Sequence, residues 1–297
     1  MPQLEKFLGK VYLWAYLPNL PAAIIFAALF SLLATAHIWK MARTKMWFCT
    51  PFVIGGLSEP IGYACRAIAR YYTASLIPFL LQGVFLLLPP VLFAATLYMV
   101  YSRLVRSVHG ERFSPISMRW CTRFFVFGDF TCLNIQSTGA GLLGKPKNVK
   151  IGNAIISAGV GLHCVVFVGF MYCCVVFHSR FRAHLAASGE RTNVPWEPIL
   201  KMLYATSFII LARNIFRLAE YVMGKDGYLL VNEWPVYVFD GVLMLIVMAV
   251  FFVWYPDQLQ RGRTESMIEL TSDGGLSEEQ DRAKKLSSSV MPGLGRS

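Results

Sequence analysis

The chain has 297 residues, of which 56% are hydrophobic and only 15% charged, and its mean hydropathy is +0.50. This balance leaves too little polar surface for a water-soluble globule of this size, so soluble enzymes and soluble binding proteins are excluded. The formal net charge of +11 would suit a nucleic-acid interface, but the lysines and arginines follow the connections between apolar segments, so we predict no nucleic-acid partner.

Seven apolar segments follow one another along the chain, each long enough to cross a bilayer at about 20 residues per span. They are Pro18–Trp39, Met46–Ile68, Leu76–Tyr101, Trp120–Leu143, Ile151–His178, Ile199–Tyr221 and Pro235–Tyr255. No connection is long enough for a second domain. The sequence therefore predicts an all-α integral membrane protein, with a bundle of seven transmembrane helices in residues 1–255.

The two ends of the chain differ from this apolar pattern. The opening segment before Pro18 has no apolar core of the signal-peptide type, so we expect the first span to be a membrane helix that is retained. Residues 256–297 are rich in Ser, Gly, Glu and Lys without apolar periodicity, which predicts a disordered tail.

Basic residues concentrate in alternate connections, which predicts the orientation in the membrane. The first, third and fifth connections and the tail hold Lys40, Arg43, Lys45, Arg103, Arg106, Arg112, Arg119, Arg180, Arg182, Arg191, Arg261, Arg263, Arg282, Lys284, Lys285 and Arg296. The opposite side holds Lys6, Lys10, Arg70, Lys145, Lys147, Lys150 and Lys225. By the positive-inside rule the N-terminus is outside and the tail is cytoplasmic.

Ionisable side chains lie deep within these apolar spans, where each costs about 2.5 to 3.5 kcal/mol to insert. The spans carry Glu59, Tyr63, Arg66, Asp129, Gln136, Arg213, Arg217, Glu220 and Asp240. In the second and sixth helices the spacing is i, i+4 and i+7, which places the polar residues of each helix on one face. Four acids against three bases indicate mutual pairing.

With an outside N-terminus, one group of these residues is predicted to lie together in the outer half of the membrane. The group is Arg66, Arg213, Arg217, Glu220 and Asp240. Glu59 is expected nearer the middle, with a weaker polar trail inward through Gln136 and Asp129. The prediction is a polar cluster that opens toward the outer leaflet. A purely structural ion-pair network joining the second, sixth and seventh helices is the alternative, and the two are compatible.

The sequence lacks the motifs of an intramembrane zinc hydrolase, of an ATP-binding loop and of a retinal-binding protein. The five histidines form no H-x-x-x-H pair, and His163 alone lies in the middle of a span, which argues against an intramembrane zinc hydrolase. The chain has no G-x-x-x-x-G-K-[ST] motif and no lysine in the seventh span for a retinal Schiff base. We therefore expect no enzyme activity, no metal and no cofactor. A divergent seven-helix receptor stays open.

Five stretches resemble the fungal RTA-like, lipid-translocating exporter family, whose members include sphingoid long-chain-base exporters and aminosterol-resistance proteins. They are YLPNLPAAIIF, EPIGYACRAIARY, LLLPPVLFAATLYMVYSRL, GDFTCLNIQSTGAGL and RNIFRLAEYVMGKDGYLLVNEWPVYVFDGVLM. The fifth helix departs from the family pattern, because His163 stands where Gln is expected. We interpret His163 as a core histidine satisfied by its surroundings.

The resemblance implies seven membrane helices, an outside N-terminus and export of amphipathic lipids or lipid-like toxic compounds, with the plasma membrane as the expected location. It adds Glu233, within the last matched stretch, to the site residues above. A cationic amine head group would suit Glu59, Asp129 or Asp240, while the arginines would hold the acids or meet a phosphate. Without an ATP site, transport would be passive, exchange-driven or proton-coupled.

The alternative function is a seven-helix lipid sensor that regulates resistance through other proteins. Serines in the tail, accessible to phosphorylation, are the feature that would favour signalling. The expected partners are an amphipathic small molecule and the bilayer, and the sequence leaves a homo-oligomer open.

Overall fold

The computed structural model describes residues 14, 16–143, 148–189, 192, 194–223 and 227–256. Apart from Pro256, the predicted disordered tail lies outside the described residues, as do the opening residues before Trp14. Lys145, Lys147 and Lys225, which bear on the predicted orientation, are also outside them.

The described residues form helices and contain no β-strand, as the sequence predicts. Six long helices are α1 Leu20–Thr44, α2 Thr50–Ala69, α3 Leu76–Ser107, α4 Met118–Leu143, α5 Val149–Ser188 and α6 Trp196–Met223. The short helix α7, Tyr228–Val231, follows. The last span, Val236–Val253, consists of a π-helical segment, Val236–Val242, and α8, Leu243–Val253.

Five of these elements are long and apolar enough to cross a membrane, namely α1, α3, α5, α6 and the last span. The other two long helices carry more polar groups, among them Glu59 and Arg66 in α2 and Asp129 in α4. Large apolar side chains face outward, with Phe127 72% exposed and Leu32 69% exposed. The molecule is therefore a multi-pass membrane protein, and the count of seven crossings stays a prediction.

Helices that follow one another in the chain pack together, and two further contacts close the bundle. The central helix is α3, which contacts α2, α4 and α6, while α8 contacts both α1 and α6. Glycine permits a close approach of the α4 and α5 backbones. A Cβ at Gly139 would lie 2.9 Å from the carbonyl oxygen of Gly152. This geometry places polar residues of α2, α4 and α5 next to those of α6 and the last span.

Several helix boundaries differ from the predicted ones, with α1 ending at Thr44 and not at Trp39, and α3 ending at Ser107 and not at Tyr101. Helix α5 continues ten residues past His178, because its polar end, with Arg180 and Arg182, stays helical until Gly189 adopts a left-handed φ of 68° and donates to the carbonyl of Leu185. The last span begins with a π-helical segment, which the apolar pattern of the sequence does not predict.

Candidate functional site

The arginine–aspartate cluster joins α6 to the π-helical segment and consists of Arg213, Arg217, Glu220 and Asp240. Asp240 Oδ1 accepts a hydrogen bond of 2.5 Å from Arg213 Nε, and Asp240 Oδ2 accepts one from Arg217 Nη2. Arg217 Nη1 donates to Glu220 Oε2 at 2.9 Å. Arg213 Nη2 donates to the carbonyl oxygen of Leu86 in α3 at 2.7 Å. These charges neutralise one another where α3, α6 and the π-helical segment meet.

The local structure explains why these side chains meet. The i, i+4, i+7 spacing stacks the three α6 residues on one face, as the sequence predicts. Gly241 lets the π-helical segment approach closely, because a Cβ there would lie 2.6 Å from both the Phe26 ring and the Tyr63 hydroxyl. Asp240 is 2% exposed and accepts from two guanidinium groups, so removing its charge would leave both without their main partner.

Arg66 belongs to a separate group, which we call the Arg66 cluster and which comprises Tyr16, Asn19, Arg66, Glu233 and Tyr237. Arg66 Nη2 lies 2.9 Å from Glu233 Oε1 and donates to the Tyr16 hydroxyl at 2.8 Å. Arg66 Nε donates to the Tyr237 hydroxyl at 3.2 Å. Both Glu233 carboxylate oxygens also accept from the backbone N–H of Asn19, at 2.9 and 3.0 Å, where α1 begins.

The sequence groups Arg66 with Arg213, Arg217, Glu220 and Asp240 in the outer half, and the structure gives Arg66 its own ion-pair partner, Glu233. Arg66 lies seven residues beyond Glu59 on α2, which is about 10.5 Å along the helix axis. It reaches a different level of the bundle, where Glu233 precedes the last span. The count of four acids omitted Glu233, because this residue lies before the apolar segment. Tyr16 and Tyr237 carry no signal in the sequence that would have identified them.

Glu59 and Tyr63 lie between these two clusters. Glu59 is 2% exposed, and its charged neighbours are Asp240, Arg213 and Arg217. The Tyr63 ring stacks against Phe26 and Phe30, with centroid distances of 5.4 and 5.5 Å. Its hydroxyl is buried next to Gly241 and has no hydrogen-bond partner among the residues that the structure describes. The Tyr63 hydroxyl is therefore free to form a hydrogen bond, and the buried Glu59 carboxyl group lies near this side chain.

A groove opens beside Tyr63, between α1 and α2, with a volume of 460 Å³. Its walls are almost entirely apolar, and small side chains from both helices make the space. The lining residues are Ala23, Ile24, Ala27, Ala28, Ser31, Tyr63, Ala64, Ala67 and Ile68. Ligand clefts usually measure about 300 to 1,000 Å³, and the volume of this open groove lies within that range.

A third polar group, the Asp129 cluster, lies between α3, α4 and α5 and comprises Tyr98, Asp129, Gln136 and His163. Tyr98 donates to Asp129 Oδ2 at 2.7 Å. Asp129 Oδ1 lies 3.4 Å from His163 Nε2, but neither atom has a hydrogen-bond partner among the described residues. Gln136 Nε2 is also buried without one, where its side chain packs over Gly159 of α5. His163 is a buried core residue, and its Nε2 approaches Asp129 without forming a hydrogen bond among the described residues.

The described residues contain no group of three or more His, Cys, Asp or Glu side chains arranged to hold a metal ion. The site is thus a set of three polar clusters, with Glu59 and Tyr63 between the first two and an apolar groove that Tyr63 lines.

Comparison with known proteins gives a family match across most of the chain. The family model described as RTA1 like protein matches residues 52–263. Protoporphyrin uptake protein 1 of Saccharomyces cerevisiae is 34% identical over 206 residues, covering 68% of this chain and 67% of that protein. Protein RTA1 of the same yeast is 29% identical over 274 residues, covering 82% and 84%.

A yeast protein named for its cargo is also similar. Sphingoid long-chain base transporter RSB1 of Saccharomyces cerevisiae is 27% identical over 308 residues, covering 90% of this chain and 79% of that protein. No solved structure matches the chain.

Proposed function

The chain belongs to the RTA1-like family, and on that premise we propose that it is a transporter that moves amphipathic lipids, or lipid-like toxic compounds, across the plasma membrane. One relative is named as a sphingoid long-chain base transporter and another as a protoporphyrin uptake protein, which supports a class of cargo rather than one compound. The role is non-enzymatic, and the N-terminus lies outside the cell.

The groove between α1 and α2 is the observation that carries this proposal. Its open side is flanked by exposed apolar side chains, with Ile24 54% and Ile68 50% exposed. Lipid tails are as apolar as these walls, so an acyl chain gains little free energy by moving from the bilayer into the groove. Entry is therefore inexpensive, and the contacts of the head group decide which lipid is retained.

Tyr63 lines the groove but is fully buried, and Glu59 lies one helical turn from it on α2, so the head group reaches Glu59 when the Tyr63 side chain moves aside. Asp240 already accepts hydrogen bonds from two arginines, whereas no ion pair with an arginine or lysine joins Glu59 among the described residues. A cationic amine head group would supply the charge that Glu59 lacks. Glu59 is favoured over Asp240, which already pairs with two arginines, and over Asp129, which lies on α4, away from the helices that form the groove.

Reconstitution of the purified protein in liposomes with a fluorescent sphingoid base tests the proposal. We expect the lipid to cross the bilayer faster than in protein-free liposomes. Glu59→Gln removes a charge-assisted contact of about 1.5 to 3 kcal/mol, so the flux should fall by about 10- to 100-fold. The matched control is Glu197→Gln, the same change at an exposed position in the first turn of α6, which should keep the wild-type flux.

Three outcomes contradict the proposal. Binding of the lipid by wild-type protein without flux would favour the sensor instead. Chemical change of the lipid would favour an enzyme. Equal flux in wild type and Glu59→Gln, with both proteins folded, would remove Glu59 from the head-group site.

A further inference from the structure

We propose that Asp129 and His163 form a proton-binding site that couples lipid movement to a proton gradient. This inference rests on the proposed transport function and adds an energy source to it. It depends on charge balance in the bundle, on the geometry of the pair, and on the interactions of Arg213 with His163 and Asp240.

Charge balance leaves two carboxyl groups without a cation. Five acids and three arginines lie in or beside the polar clusters: Glu59, Asp129, Glu220, Glu233 and Asp240, against Arg66, Arg213 and Arg217. Arg66 pairs with Glu233, and the arginine–aspartate cluster is neutral by itself. Glu59 lies one helical turn from Tyr63, which lines the groove, so a cationic head group that reaches past Tyr63 would balance it. Asp129 lies away from the groove, so it needs a different cation.

The geometry of Asp129 and His163 fits one proton. Asp129 Oδ1 and His163 Nε2 are 3.4 Å apart, each lacks a hydrogen-bond partner among the described residues, and the two side chains are 0% and 4% exposed. An isolated carboxylate in an apolar interior is costly, whereas a carboxylate beside a protonated imidazole, or an acid beside a neutral one, carries no net charge. Binding of one proton therefore neutralises the pair.

The other titratable and charged groups around the pair come from all the helices packed against it. They are Tyr98 of α3, Cys132 of α4 itself and Arg213 of α6. Tyr98 donates a hydrogen bond to Asp129, and Arg213 acts electrostatically on His163. Arg213 is thus the only cation in this set.

Arg213 connects proton binding to the lipid site. It acts electrostatically on His163, and its guanidinium group donates to Asp240 and to the carbonyl of Leu86. A proton on the pair adds positive charge beside Arg213, and charges interact strongly in an interior of low dielectric constant. The added charge favours arrangements in which Arg213 lies further toward Asp240 and Glu59, where the lipid head group binds.

Labelling of the wild-type protein with dicyclohexylcarbodiimide, which reacts with protonated carboxyl groups in apolar surroundings, tests proton binding without transport. Peptide mass spectrometry should locate the label on Asp129 and show more of it at about pH 5 than at about pH 8, across the range in which histidine titrates. Asp240, which pairs with two arginines, should stay unlabelled at both pH values. Equal labelling of Asp129 at the two pH values, or none at either, would overturn the proposal.

A second experiment measures coupling in liposomes that carry an imposed pH gradient. One coupled proton per lipid biases the final distribution of the fluorescent sphingoid base by up to about tenfold for each pH unit, above the redistribution in protein-free liposomes. Asp129→Asn and His163→Gln should both lose this bias, and the control Glu197→Gln should keep it. The variants act on different helices, and both retain hydrogen-bonding side chains.

The outcomes separate this inference from the proposed function. Absence of wild-type flux would contradict the transport function itself. Wild-type flux with no response to the gradient would leave transport intact and overturn proton coupling. A gradient response that survives in both folded variants would show that the proton binds elsewhere.

Discussion

Asp240→Asn should destabilise the protein more than any other single change in the arginine–aspartate cluster. Asp240 accepts hydrogen bonds from Arg213 and Arg217, and its side chain is only 3% exposed. Asparagine is nearly the same size, so the main change is the loss of charge next to two buried guanidinium groups.

The expected magnitude follows from these contacts. Removing one partner of a buried ion pair costs about 3 to 5 kcal/mol. At about 2 to 4 °C per kcal/mol for a chain of this size, the midpoint of thermal unfolding should fall by about 6 to 20 °C. Glu220→Gln breaks one ion pair with Arg217 and leaves both Asp240 contacts, so its cost should be nearer 1 kcal/mol.

Thermal unfolding in detergent with a thiol-reactive dye suits this comparison. Five of the seven free cysteines are buried, namely Cys49, Cys121, Cys132, Cys173 and Cys174, and they become reactive when the bundle opens. The double variant Asp240→Asn with Arg213→Gln should recover part of the loss, because it removes one of the uncompensated charges. An Asp240→Asn midpoint within about 2 °C of wild type, or one above that of Glu220→Gln, would refute the reasoning.

Three further predictions concern packing, the groove and the Arg66 cluster. Gly139→Ala should cost about 1 to 3 kcal/mol because its Cβ would lie 2.7 Å from Ile156 Cγ1 and 2.9 Å from the Gly152 carbonyl. Gly141→Ala, with no atom within 4 Å of its Cβ, should leave the melting midpoint unchanged, and equal midpoints for the two variants would contradict the close α4–α5 contact. Ala64→Leu fills the groove, and because a lipid would then meet an overpacking cost of about 1 to 3 kcal/mol, lipid flux should fall about tenfold. The control Ala158→Leu makes the same change at an exposed position of α5 and should keep the wild-type flux. Equal flux in these two variants would place the lipid elsewhere. Tyr237→Phe removes the hydroxyl that contacts Arg66 and Glu233. The loss of about 1 kcal/mol should lower the melting midpoint by about 2 to 4 °C. An unchanged midpoint would show that this hydroxyl adds nothing to stability.

Regular spacing made part of the site predictable from the sequence. Arg213, Arg217 and Glu220 share a face of α6 because positions i, i+4 and i+7 always do. The same rule places Glu59 and Arg66 on one face of α2, but it does not say that they sit at different levels with different partners. Arg66 binds Glu233, which lies before the last apolar segment and so escaped the count of membrane charges.

Other features depend on contacts between helices, which spacing within one helix does not encode. The proximity of Asp129 to His163 arises where α4 and α5 pack across Gly139 and Gly159. The π-helical segment has the same apolar composition as an ordinary helix, so hydropathy does not reveal it. The end of α5 is set by Gly189 and not by the end of its apolar stretch.

Photocrosslinking of a sphingoid base that carries a photoreactive group on its acyl chain tests the central claim most directly. During transport in liposomes, the account predicts label on residues that line the groove between α1 and α2, such as Ala27, Ala64 and Ala67. An excess of unlabelled sphingoid base should compete with it. Label confined to other outward faces of the bundle, or label that unlabelled lipid does not displace, would contradict the account.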